Sequence, residues 1–168
     1  MSTQLSAEAV EPQMALRRAF SLFPTGVVAV AALVDGQPVG IAVNSFNSVS
    51  LDPPLVAVCV ARTSNTWPLL ADRTRLGLSV LGSHQEALCR KLASRNVDRF
   101  EGAEWHASDE GAVLIDGAAL WLECEVRASY EGGDHEIILL EVLNADLFPD
   151  VTPLVFHQSQ FRGLLTDK

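Results

Sequence analysis

The chain has 168 residues, 48% of them hydrophobic and 20% charged, which suits one globular domain and excludes a disordered chain. Its formal net charge is −9, so a nucleic-acid backbone or an anionic membrane is repelled overall and neither is an expected partner. A local basic patch can still hold one small phosphate-bearing ligand.

The three cysteines, Cys59, Cys89 and Cys124, are odd in number, form no Cys-x-x-Cys and lie in apolar segments. That usage fits reduced thiols in a cytoplasmic protein. No run approaches the ~20 apolar residues of a membrane span. The first residues lack a basic start followed by an apolar stretch, so no secretory signal is expected.

Residues 1–8 read as a loose tail and residues 9–165 as one domain. From Ala9 to Phe23, Val10, Met14, Phe20 and Leu22 recur at helical spacing, and Pro24-Thr25-Gly26 stops the helix. Val27 to Val34 is an apolar run rich in β-branched Val, hence a buried strand. Asp35-Gly36 gives a tight hairpin, and the return strand runs from Pro38 to Phe46.

In that strand Val39, Ile41 and Val43 share one face, Gly40 and Ala42 the other. Four of the next five residues, Asn44-Ser45-Phe46-Asn47-Ser48, are small and polar, and Asp52-Pro53-Pro54 breaks the chain. A second strand follows from Leu55 to Ala61. Val56, Val58 and Val60 point one way; Leu55, Ala57, Cys59 and Ala61 point the other, as a mostly small-residue wall that a flat partner can approach.

Ser64-Asn65-Thr66-Trp67-Pro68 reads as the entrance to a short helix ending near Asp72. Arg75 to Leu81 is a strand. Ser83-His84-Gln85-Glu86 reads as a capping box for a helix through Ser94, with Leu88 and Leu92 inward. Asn96 to Gly111 is irregular and polar, with Trp105 as its anchor. Ala119 to Tyr130 alternates apolar and polar residues, a strand with one wet face. Glu131-Gly132-Gly133-Asp134 turns the chain into a strand from His135 to Leu147. Leu154 to His157 is a last strand, and a frayed tail begins at Thr166. About seven strands in hairpin order, with two or three short helices, make a mainly β fold: an antiparallel barrel.

Gly-x-Ser-x-Gly, a Walker loop and the dinucleotide glycine fingerprint are all absent. His84, His106, His135 and His157 have no ligand-like spacing, so no metal site is expected. The carboxylates are scattered. Hydride transfer by a cofactor needs none of these, because the protein then only binds and positions. Asn44, Ser45, Ser48 and Ser50 can read a polar heterocycle or hold a phosphate, or can satisfy their own loop. Arg62, Ser64, Asn65 and Thr66 can seat a phosphate, or cap a helix beside a solvated Arg. Lys91, Arg95 and Arg99 are the densest basic cluster. His135 either caps its turn or meets a ligand.

The string NSFNSVSLDPPLVAVCVARTSNTWP, with Phe23-Pro24-Thr25-Gly26-Val27, Asp98-Arg99-Phe100-Glu101-Gly102 and Gly133-Asp134-His135, resembles the short flavin reductases. These are reductase partners of two-component flavin monooxygenases, and the resemblance spans roughly residues 14–164.

The resemblance implies an antiparallel split β-barrel, usually a homodimer. It implies an NAD(P)H:flavin oxidoreductase that reduces FAD or FMN with NADH or NADPH and passes free reduced flavin to a separate oxygenase. Ala42, Asn44 and Ser45 would lie along the flavin, Ser48, Val49 and Ser50 beside it, and Cys59 and Ala61 beneath its ring. Arg62, Ser64, Asn65, Arg99 and Phe100 would serve its phosphate end. His135 would seat the nicotinamide ~3–3.5 Å from the flavin acceptor nitrogen. His157, on the nicotinamide side, stands where relatives often carry Tyr, and Ser159 where they often carry Gly, which leaves the choice between NADH and NADPH open. Two other readings stay available: a tightly FMN-binding electron-transfer or storage flavoprotein, and a barrel for a different small ligand or assembly.

Overall fold

The computed structural model describes residues 12–95 and 97–164. The expected tail over residues 1–8, the helix start at Ala9 and the frayed end from Thr166 lie outside the described residues.

Helix α1 (Pro12–Phe20) leads into β1 (Thr25–Gly26) and β2 (Val28–Val34). The Asp35-Gly36 turn joins β2 to β3 (Gln37–Val43), and both turn residues have positive φ, 51° and 77°. This is the conformation that matches the twist of a two-residue hairpin. Strand β4 (Asn47–Leu51) turns through Asp52-Pro53 into β5 (Pro54–Ala61). Then come α2 (Trp67–Leu70), β6 (Leu76–Val80) and, after a short 3-10 turn, α3 (Glu86–Ala93). The hairpin of β7 (Trp105–Ala107) and β8 (Val113–Ile115) precedes β9 (Leu120–Gly132) and β10 (His135–Leu147). Strands β11 (Val155–His157) and β12 (Gln160–Arg162) complete the described chain.

One seven-stranded antiparallel sheet, in the order β3-β2-β6-β9-β10-β5-β4, forms the barrel wall. β1, β11 and β12 form a second sheet, and β7–β8 a third. The seven strands read from sequence are present; β1, β4, β7, β8 and β12 are additional. They escape periodicity because they are short, and β4 (Asn-Ser-Val-Ser-Leu) carries turn-type residues.

Strand β2 explains the placement of both cores. Val28, Val30 and Ala32 point into the barrel with Val56, Val58 and Ile138, while Val27, Ala29 and Ala31 pack outward against Cys89, Leu92 and Phe100. A strand covered on both faces has no polar face, hence its continuous apolar run. β9 shows the opposite case: Leu122 and Cys124 are buried, while Glu125 and Arg127 on the wet face pair with Arg75 and Glu141.

The capping at α3 differs from expectation. Gln85, not Glu86, reaches back, its Oε1 accepting the Gly82 N–H at 2.8 Å while its Nε2 donates to the Asp116 carbonyl at 2.7 Å. Glu86 pairs instead with Arg90 one turn on, at 2.7 Å. Gly82 takes the cap position because a Cβ there would come within 2.8 Å of the Gly117 carbonyl and the His84 ring.

Candidate active site

The barrel is split between the edge strand β3 and the end of β5 that the other edge strand, β4, leaves unpaired. After Val43 the chain leaves the β3 edge and crosses through Asn44, Ser45 and Phe46 to β4. The Ser45 hydroxyl closes the seam by accepting the Cys59 N–H at 2.8 Å and donating to the Cys59 carbonyl at 3.0 Å. Beyond it the wall opens into a cavity of about 380 Å³, within the range of small-molecule sites.

Small side chains make its floor. Ala42 comes from the end of β3, and Cys59 and Ala61 come from the outer face of β5, whose other face is buried in the barrel. Opposite residues of an antiparallel pair share a face, so Ile137 flanks Cys59 and His135 flanks Ala61. None of Ala42, Cys59 and Ala61 carries more than one heavy atom beyond Cβ, so a planar ring can lie close to the backbone. Asn44 stands exposed at the rim, with no side-chain hydrogen bond among the described residues.

The far end is polar and cationic. Ser64, Asn65, Arg95 and Arg99 line it. Ser64 Oγ accepts the Trp67 N–H at 3.1 Å, whereas Thr66, at the cap position of α2, makes no side-chain capping bond and accepts from Arg99 instead. Arg99 is fixed by three acceptors: Nε donates to the Ser94 carbonyl at 2.9 Å, and Nη1 to the Gly40 carbonyl and Thr66 Oγ1, each at 2.8 Å. Burial and the neighbouring Arg95 charge lower the Arg99 pKa. Neither arginine has a carboxylate partner among the described residues. Two like charges held together without a counterion favour a bound anion.

His135 lines the cavity, half-exposed, its Nδ1 2.8 Å from Asp134 Oδ1. Because Nδ1 is engaged, Nε2 is the nitrogen left for a ligand. The hydrogen bond with His135, then its charge, hold the Asp134 carboxyl below the usual carboxylate range.

Thus Ala42, Asn44, Ser45, Cys59, Ala61, Ser64, Asn65, Arg99 and His135 converge on one cavity. Sequence reasoning had not assigned Thr63 and Arg95 to the site, and the basic cluster around Arg99 was the one signal for Arg95. Six expected residues stand apart from this lining. Ser48, Val49 and Ser50 lie on β4, the edge strand beyond β5. Arg62 turns outward to Glu131, N–O 2.9 Å. Phe100 is buried in the outer core, edge-on to Trp105. His157 sits on β11 in the separate small sheet.

A family model described as flavin reductase like domain matches residues 20–165. The chain belongs to the flavin reductase-like family. Among its relatives in this family is the NADH-dependent FAD reductase of Streptomyces globisporus, 40% identical over 168 residues, covering 96% of this chain and 92% of that protein. Another is the flavin-dependent monooxygenase reductase subunit of Rhodococcus jostii, 32% identical over 164 residues, with 98% and 84% covered. Among solved structures, the S. globisporus NADH:FAD oxidoreductase in complex with NAD and FAD fragments superimposes with a TM-score of 0.88 at 41% identity, covering 96% of this chain and 99% of that one. As a flavin reductase-like chain it has the expected split β-barrel fold. Among the described residues no group of His, Cys, Asp or Glu is arranged to hold a metal ion, and no helix is long and apolar enough to cross a membrane.

Proposed function

We propose that this chain is an NAD(P)H:flavin oxidoreductase that reduces FAD or FMN and gives up the reduced flavin to a separate flavin-dependent monooxygenase. The observation that carries the reading is the cavity in the barrel split, floored by small side chains, ended by Arg95 and Arg99, which have no carboxylate partner among the described residues, and flanked by His135. The flavin supplies the hydride-accepting ring when bound. The chain supplies the rest. Ala42, Cys59 and Ala61 give the ring a flat floor, and Asn44 offers its free amide to the ring edge. Ser64, Asn65 and Arg99 would receive the phosphate end, and His135 would orient the reduced nicotinamide. No side chain is required to move a proton for this step.

In this proposal residues 9–165 act as one domain in the cytoplasm, as a homodimer. Support for pairing comes from large apolar side chains left at the surface, among them Leu51 at 96% and Phe20 at 70% exposure. NADH and NADPH oxidation with added FAD or FMN tests the activity. Turnover with at least one nicotinamide–flavin combination is expected, and none above the enzyme-free rate overturns the reading.

A further inference from the structure

A second pocket of about 230 Å³ adjoins the first, and the two share Thr66 and Arg99. The hydrogen bond from Arg99 Nη1 to Thr66 Oγ1 is therefore part of the partition common to the two spaces, and it lies at the cationic end of the first. The second pocket differs in character. Its lining is mainly apolar, with Pro38 and Val39 from β3, Leu69 from α2, and Val97 and Phe100 from the segment before β7.

Its back wall is the open edge of the seven-stranded sheet, where β3 has no further neighbour. Val34 and Gln37 flank the two-residue turn as the first hydrogen-bonded pair, so Leu33–Pro38 and Ala31–Gly40 are alternate pairs whose backbone groups face away from each other. Two contacts agree with this register: Leu33 N–H goes to the Gly111 carbonyl, and the Gly40 carbonyl receives Arg99. The Pro38 carbonyl and the Gly40 N–H consequently stand side by side on the open edge as an acceptor and a donor. Asp98 adds a carboxylate, of which Oδ1 accepts the Phe100 N–H at 3.1 Å.

A flat, largely apolar ring with a donor and an acceptor on adjacent atoms of one edge suits this pocket. Adenine is such a ring: its exocyclic amine matches the Pro38 carbonyl and its neighbouring ring nitrogen matches the Gly40 N–H. We propose that this pocket seats the adenosine half of FAD. The pyrophosphate then crosses the partition beside Arg95 and Arg99, and the flavin ring lies in the first cavity. This rests on the flavin reading of the first cavity, and it makes FAD rather than FMN the favoured flavin.

The test is equilibrium titration of flavin fluorescence with FAD and with FMN, on the whole protein and on two substitutions at exposed pocket residues, Val97→Trp and Leu69→Glu. The unmodified protein is expected to bind FAD about tenfold or more tightly than FMN. Val97→Trp fills the pocket and Leu69→Glu charges it, so both should bring the ratio of the two dissociation constants toward one by weakening FAD. Equal affinities in the unmodified protein overturn the proposal, as do substitutions that weaken both flavins alike. KM for NADH measured with FMN distinguishes the other adenine nucleotide: a rise on Val97→Trp with no change in FAD affinity would assign the pocket to the nicotinamide dinucleotide and overturn it too. Failure of the flavin reading itself is separate, for then neither flavin binds and no NADH is oxidised.

Discussion

Ser45 and Cys59 are joined by a two-way hydrogen bond: one hydroxyl accepts the Cys59 N–H and donates to the Cys59 carbonyl, at 2.8 and 3.0 Å. Strand β4 pairs with β5 only as far as Asn47 opposite Ala57, so the next outward-facing groups of β5 would otherwise have no neighbour. A side chain finishes what the ladder leaves open, at the floor of the cavity.

Ser45→Ala leaves both groups unpaired in a half-buried place. It should cost about 1–3 kcal/mol of stability and weaken flavin binding by letting the floor move. Ser45→Thr, which keeps the hydroxyl, should recover most of the loss. Thermal unfolding of the three proteins checks this.

Thiol labelling should single out one cysteine. Burial pushes the Cys89 thiol up to about 11 and the Cys124 thiol up to about 12. The thiolate is the nucleophile, so at pH 8 both stay protonated and inert, and their labelling should rise only toward those values. Cys59 is half-buried on the cavity wall. Iodoacetamide at pH 8, read by mass spectrometry, should modify Cys59 alone, and saturating flavin should slow the reaction. Equal labelling of all three would contradict the burial pattern.

His135→Ala should lower kcat/KM for the nicotinamide by about tenfold to a hundredfold while flavin affinity changes by less than about threefold. The split follows from position: His135 flanks Ala61 at the rim, while the floor and the arginines stay intact. Steady-state kinetics at saturating flavin, with a separate flavin titration, measures it. A variant that loses flavin binding instead would move His135 from the nicotinamide to the ring.

The barrel was legible because its long strands carry clear patterns: continuous in β2, alternating in β9, and paired by Asp35-Gly36 and Gly133-Asp134 turns. The β5 part of the floor was legible too, since Cys59 and Ala61 alternate with Val58 and Val60. What the sequence hid was set by distant contacts. Arg99 reaches Gly40 and Thr66, far apart in the chain, and no local pattern announces that. Phe100, next to it, was expected at the flavin's phosphate end from the family resemblance. Its ring is buried in the outer core, 3.0 Å from where a Gly40 Cβ would be, and borders the second pocket rather than the first.

Gly77 on β6 tests how tightly the barrel meets the β7–β8 hairpin. A Cβ there would overlap the Val113 carbonyl, which is backbone and cannot swing aside. Gly77→Ala should destabilise by about 1–3 kcal/mol or more through this overpacking. Gly26→Ala, which meets nothing within 4 Å, should cost far less. Urea unfolding of the two variants gives the comparison.

The most direct measurement is a crystal structure of the protein with FAD. It should show the tricyclic ring in van der Waals contact with Cys59 and Ala61, the phosphates at Arg95 and Arg99, and His135 at the ring's open side. A ring bound elsewhere, with the small-residue floor filled by the protein's own side chains, would contradict the account.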